Sequence, residues 1–125
     1  MLSKCEVCAY APVSDIERGR EFYQRVLQLP AVDENDGGIL FQCAKGSKFF
    51  MYLSQGAGSS KASTMFWNVE DIESEVAELK SRGVRFERYD IPGARREGDV
   101  FETGGVKNAW FKDPDGNILA LIQYA

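Results

Sequence analysis

The chain has 125 residues, with 15 Lys+Arg against 19 Asp+Glu and a formal net charge of −4. Hydrophobic residues at 44% and charged residues at 27% are ordinary globular values that exclude disorder and fibrous repeats; the length suits one domain, 1–125, or two small modules sharing a core. There is no histidine, so Ser-His-Asp and Cys-His catalysis and histidine-ligated metal centres are excluded within the chain.

No apolar run approaches the ~20 residues that a membrane span needs, and the opening residues Met1–Glu6 do not read as a signal peptide. The acidic balance speaks against a phosphate-backbone partner. Neither a membrane nor nucleic acid is therefore expected as a partner. Three cysteines, Cys5, Cys8 and Cys43, are too few for a disulfide scaffold and predict a reducing cytoplasm. Cys5 and Cys8 have the spacing of a redox or metal pair. In a strand, however, they point to opposite faces and lie too far apart for a disulfide, so they read as half-buried thiols.

In chain order, Glu6 to Val13 reads as a strand, and Asp15 caps a helix whose stripe is Ile16, Gly19, Phe22, Tyr23, Val26 and Leu27. Extended segments follow at about 31–35, 39–44 and 48–54, separated by Asp36-Gly37-Gly38 and Lys45-Gly46-Ser47. Gln55–Ala62, rich in Gly and Ser, reads as a linker. The pattern then starts again. Val69-Glu70-Asp71-Ile72-Glu73 repeats Val13-Ser14-Asp15-Ile16-Glu17 half a chain later, after a second strand-like run from Ser63 to Val69. Asp71 caps a helix with the stripe Ile72, Val76 and Leu79, which Gly83 stops.

The second copy continues with extended segments near 84–89, 100–103, 106–112 and 118–124. Asp113-Pro114-Asp115-Gly116-Asn117 closes a hairpin between the last two. As a calcium loop it fails, because its glycine falls at the fourth position and no glutamate follows it. Asp90–Gly105 has little regular pattern and reads as a lid, a binding segment or a disordered stretch, where Arg95 and Arg96 would be solvated or meet an anion. The expected class is α+β. Two βαβββ modules, 4–55 and 63–125 with the linker at 56–62, form a curved mixed sheet around a cavity.

Pro12-Val13-Ser14-Asp15, Phe22-Tyr23 and Val26-Leu27, together with Val69–Ile72, Leu79–Val84 and Ala109–Leu121, resemble the signatures of the vicinal oxygen chelate superfamily. That superfamily includes glyoxalases, bleomycin-resistance proteins and extradiol dioxygenases. The resemblance covers nearly the whole chain and implies paired βαβββ modules around a cavity, in a homodimer. In metal-dependent members the ligands would fall here on Cys8, Thr64, Ala120 and either Met51 or Tyr52. The chain departs from that pattern at every anchored position, so neither a metal nor any other cofactor is expected.

Strand alternation predicts the cavity lining. Cys8, Tyr10 and Pro12 face inward from the first strand, and Thr64, Phe66 and Asn68 from its repeat. Ile118, Ala120 and Ile122 line the last strand. If Lys112 pairs with Asn117 across the turn, Ala109 and Phe111 share that face and Trp110 packs outward. Similar hairpin logic adds Phe41, Cys43, Phe50 and Tyr52. The candidate ligand site is therefore Cys8, Tyr10, Phe41, Phe50, Tyr52, Thr64, Phe66, Asn68, Phe111 and Ala120, largely aromatic with a few polar points. Two functions fit it. One is a binding protein without a metal that stacks an aromatic or planar small molecule. The other is a metal-independent isomerase or lyase using Tyr10 or Tyr52 as acid/base, or Cys8 as nucleophile. A non-catalytic regulatory module is a third.

Overall fold

A computed structural model describes residues 1–125. The chain is α+β and falls into two compact units, Met1–Ser59 and Ser60–Ala125, each with one principal helix and its own mixed sheet.

In the first unit β1 (Ala9–Val13) leads to α1 (Ile16–Arg20), then to β2 (Ala31–Asn35), β3 (Gly38–Gln42) and β4 (Lys48–Leu53). The sheet order is β1-β4-β3-β2, with β1 parallel to β4 and the rest antiparallel. The Asp15 side chain accepts from the Arg18 backbone N–H at 3.0 Å, filling one of the orphan donors of the first turn. From Glu21 to Val26 the helix widens to a π turn, with the Leu27 N–H donating to the Phe22 carbonyl at 2.9 Å. Tyr23, fully buried there, packs against Phe41 and Phe49 at ring distances of 6.0 and 5.4 Å. These rings, with Val13, Ile39 and Met51, fill the space between helix and sheet. The exposed edge strand β2 is tied to the helix by Arg20, which reaches Glu34 at 2.7 Å and Glu17 at 3.3 Å.

The second unit opens with β5 (Ser63–Asn68) and α2 (Ile72–Ser81). Asp71 caps α2 through the Ser74 N–H at 3.1 Å, and the side-chain oxygen of Gln123 accepts from the Ile72 N–H at 2.8 Å. At the other end Gly83 (φ +91°) and Val84 donate to the carbonyls of Lys80 and Leu79, both at 3.0 Å, closing a Schellman motif. Five strands follow: β6 (Phe86–Glu87), β7 (Arg95–Glu97), β8 (Val100–Thr103), β9 (Val106–Lys112) and β10 (Ile118–Gln123). They order as β5-β10-β9-β8-β7, with β6 paired to β9 and β5 parallel to β10. Ile72, Val76 and Leu79 of the helix stripe are buried, as are Ala109, Phe111, Leu119 and Leu121.

Two expectations are corrected. The first strand begins at Ala9, not Glu6, and Val7 is 90% exposed. The segment from Asp90 to Gly105 is no open loop, because it holds the β7–β8 hairpin with Val100 and Phe101 buried. Asp99 anchors that hairpin. Only 8% exposed, it accepts from Lys80 Nζ of α2 at 2.8 Å and from Arg88 Nε at 3.0 Å. The Lys80 ammonium holds its carboxyl below the usual carboxylate range, against the opposing effect of burial and with help from Arg88. The folded value lies below the unfolded one. The stabilisation is therefore present above the ordinary value of 3.8 and is lost as pH falls through the folded value. Asp99→Asn should lower unfolding stability by about 1–2 kcal/mol at pH 7, and urea melts should show the gap closing as the pH falls below the ordinary carboxylate range.

A second prediction concerns two glycines of different kinds. At Gly38 an added Cβ would stand 1.9 Å from the Met51 carbonyl oxygen, whereas at Gly83 it would meet nothing within 4 Å. Gly38→Ala should cost about 3 kcal/mol or more, through a backbone clash that β3 and β4 must separate to relieve. Gly83→Ala should cost only about 1 kcal/mol, the penalty of its positive φ. Thermal melts of the two variants check the order.

Candidate functional site

Each sheet has one side sealed by its helix and one side that carries aromatic rings away from it. In the first unit Tyr10 pairs with Phe50, Phe50 with Leu40, and Pro12 with Tyr52, so these five side chains share the side opposite Val13, Met51 and Ile39. Tyr10 is 65% exposed. Its ring lies 4.8 Å from that of Tyr52 and 6.4 Å, edge on, from that of Phe50. Gly37 and Gly38 leave room beside them for the end of the Phe50 ring.

Phe41 does not belong to this face. The Cys43–Ser47 connection brings Phe41 opposite Phe49, and the two rings stack at 5.2 Å on the helix side, with Phe41 fully buried. Leu40 stands where Phe41 was expected. Cys43 lines a separate recess with Pro30, Val32 and Gln42. Cys8 is exposed just before β1, and its thiol donates to the Ala9 carbonyl at 3.7 Å.

In the second unit Ala120 pairs with Phe66 on one side and Trp110 on the other, while Ile122 pairs with Asn68 and Asn108. These six share the open face, where Phe66 is 48% exposed. Trp110 makes edge contacts with Tyr89 at 5.6 Å and Phe101 at 5.4 Å. Burial beside this cluster, reinforced by the Glu87 carboxylate, pushes the Tyr89 phenol above its ordinary value. Thr64 is the additional residue of a bulge, since Ser63 pairs with Ile118 and Met65 with Leu119. Its hydroxyl donates to the Ile118 carbonyl at 3.2 Å.

The β9–β10 register overturns the expected assignment of Phe111. Lys112 pairs with Ile118, not Asn117, so Phe111 faces Leu119 and packs on the helix side with Ala109. There it lies parallel to Trp67 at 6.3 Å. Trp110, expected to pack outward, takes the open face. The cause is the turn itself. The Asp113 side chain accepts from the N–H groups of Asp115 and Asn117 at 3.0 and 2.9 Å and from Asn117 Nδ2 at 2.7 Å. Asp113 and Asn117 are thereby the closing pair of a five-residue loop, and the strands begin one residue further out on each side. A symmetric count about Asp115 was the available sequence signal. Asn108 was also missed, being visible only once that register is set.

Matching against protein-family models finds the glyoxalase/bleomycin resistance protein/dioxygenase superfamily over residues 6–121. The chain belongs to this superfamily. Comparison with curated protein sequences returns no match. Among solved structures it is similar to a glyoxalase family protein from Enterococcus faecalis, with 21% identity, coverage of 98% of this chain and 99% of that one, and a TM-score of 0.73. TnmS3, an antibiotic binding protein from Streptomyces sp. CB03234, is 24% identical over 98% of each chain with a TM-score of 0.66. FosX, a fosfomycin resistance protein from Listeria monocytogenes, is 13% identical with coverage of 96% and 93% and a TM-score of 0.71. At these identities the likeness concerns the fold.

The superfamily's metal chemistry needs anionic or imidazole donors, which neither Ala120 nor Thr64 supplies. Ala120 offers a methyl group, and Thr64 has its hydroxyl bonded to a backbone carbonyl. Met51 is fully buried on the helix side. Nowhere do three Cys, Asp or Glu residues gather in a geometry that would hold an ion. No helix is long and apolar enough to cross a membrane.

Removing the acceptor that sets the β9–β10 turn tests its role. Asp113→Ala strands three donors and should cost about 2–3 kcal/mol in a denaturant melt. Asp115→Ala, which leaves those contacts in place, should cost under about 1 kcal/mol.

Proposed function

We propose that this protein binds a small aromatic or planar molecule without a metal centre, stacking it against the open aromatic face of a sheet. The observation that carries this reading is the exposure of rings in strand positions that a monomeric sheet normally fills with polar residues. Tyr10 is 65% exposed beside the rings of Tyr52 and Phe50, and Phe66 is 48% exposed beside Ala120. Flat rings supply large apolar contact at small entropic cost, while Asn68 and Asn108 add hydrogen-bonding points in the second unit. The acidic net charge of −4 favours a cationic compound. The antibiotic binding named for TnmS3 supports a small-molecule ligand. The alternative, a metal-independent isomerase or lyase, gains no support at Tyr10 and Tyr52, whose described partners are each other and Phe50. The proposal includes a homodimer, as the superfamily resemblance implies, and a reducing compartment, in keeping with three free cysteines.

The two tryptophans make the reading testable, since Trp110 lies on the open face and Trp67 on the helix side. Aromatic cations, glycopeptide antibiotics among them, should change the emission of a Trp67→Phe variant saturably. The same titration of Trp110→Phe should leave the remaining signal nearly flat. A panel with no saturable response in either variant defeats the proposal. For the metal-free part, metal analysis should return well under one ion per chain, and a chelator should leave the melting temperature unchanged. One tightly held ion per chain contradicts it.

A further inference from the structure

Away from the open face, the second unit has a cavity of about 410 Å³ between the end of α2 and the β7–β8 turn. Three cations, Lys80, Arg85 and Arg88, and one carboxylate, Asp99, line it, over a floor that includes Val84 and Phe86. Such a surplus of positive charge is unexpected in a chain of net charge −4.

The carboxylate does not cancel the cations so much as place them. Each oxygen of Asp99 takes one donor, Oδ2 from Lys80 Nζ at 2.8 Å and Oδ1 from Arg88 Nε at 3.0 Å. Asp99, only 8% exposed, offsets one of the three positive charges and leaves a surplus of two. The ammonium keeps two further N–H donors, and the guanidinium keeps both terminal nitrogens. Both side chains remain about half exposed, at 54% and 53%, so these donors are reachable from water. Arg85, exposed on the same rim, has neither an ion pair nor a side-chain hydrogen bond.

A second recess of the same unit shows the contrast. There Lys107 is bound to Glu73 at 2.7 Å, Arg95 faces Glu102 at 3.7 Å, and Arg96 donates to the Gly98 carbonyl at 2.7 Å. Carboxylates there equal the cations in number, and no charge is left over.

We propose that the Lys80–Arg85–Arg88 cavity is an anion site for a phosphate-type dianion, either the free ion or a phosphate monoester. The chemistry follows from the donors. Two guanidinium forks and an ammonium match the several acceptor oxygens of a tetrahedral dianion, and charge-assisted bonds of this kind are the strong ones. The apolar floor of Val84 and Phe86 leaves space for the carbon part of an ester. Because Asp99 preorganises two of the three cations, little side-chain entropy remains to be lost on binding. This site is independent of the aromatic faces and of the ligand proposed for them.

Amide NMR shifts test it, with inorganic phosphate and glycerol phosphate titrated separately into the whole chain at ionic strength held constant with sodium chloride. Saturable shifts are expected at Gly83, Val84, Arg85 and Arg88. Tighter binding of the ester assigns the site to monoesters, and equal or weaker binding assigns it to the free ion. Arg85 has no partner in the fold to lose, so Arg85→Gln should keep the wild-type melting temperature and weaken binding by about fivefold. The double variant Arg85→Gln/Arg88→Gln should abolish it. Shifts that never saturate with either compound, or an unchanged affinity in the double variant, overturn the proposal.

Discussion

Strand register decides what this molecule can present to a ligand. A strand shows alternate residues to opposite sides, so a slip of one position exchanges everything on one face for everything on the other. In the β9–β10 hairpin the difference between pairing Lys112 with Asn117 and pairing it with Ile118 moves Trp110 onto the open face and Phe111 under the helix. The side chain of Asp113 holds that choice through three hydrogen bonds. A buried carboxylate satisfied by its own turn is thus what places an indole beside Ala120.

The same division of labour recurs in both units. Tyr23, Phe41 and Phe49 in the first, and Trp67, Phe86 and Phe111 in the second, seal the helix side. The rings left on the other side, Tyr10, Tyr52, Phe50, Phe66 and Trp110, have no helix of their own unit over them. Aromatic content alone does not separate these two populations, because all but Tyr23 lie in strands and members of both touch other rings. Their register partners do. The superfamily fold supplies the scaffold, and Thr64 and Ala120 contribute to it a hydroxyl committed to a backbone carbonyl and a methyl group. The function proposed here therefore rests on ring surfaces and not on coordination.

Much of the fold was legible before any coordinates. The repeated Val-x-Asp-Ile-Glu pattern marks both helix starts, because an aspartate that can accept from the third backbone N–H is a local signal with a local outcome. The stop at Gly83 is equally local. Within strands, alternation correctly separated Tyr10 from Ala11 and Phe66 from Trp67. What alternation lacks is the phase between neighbouring strands, which depends on how many residues the turn consumes. Phe41 and Phe111 were both misplaced for this reason, each by one residue across a connection. The β7 strand escaped notice on different grounds. Arg95-Arg96-Glu97 has no apolar alternation, and what ties its hairpin down is the contact of Asp99 with Lys80 and Arg88, distant in sequence. Charge pairing of that kind leaves no periodic trace.

The central claim is that Trp110, not Phe111, shares the open face with Ala120. Side-chain nuclear Overhauser effects in the ligand-free protein test it directly, with the Ala120 methyl group as the reference. Cross-peaks from that methyl to the Trp110 indole and the Phe66 ring, together with Phe111 contacts to Leu119 and Trp67, are the predicted result. A strong Ala120–Phe111 contact, with the Trp110 indole against Leu119, would contradict the account.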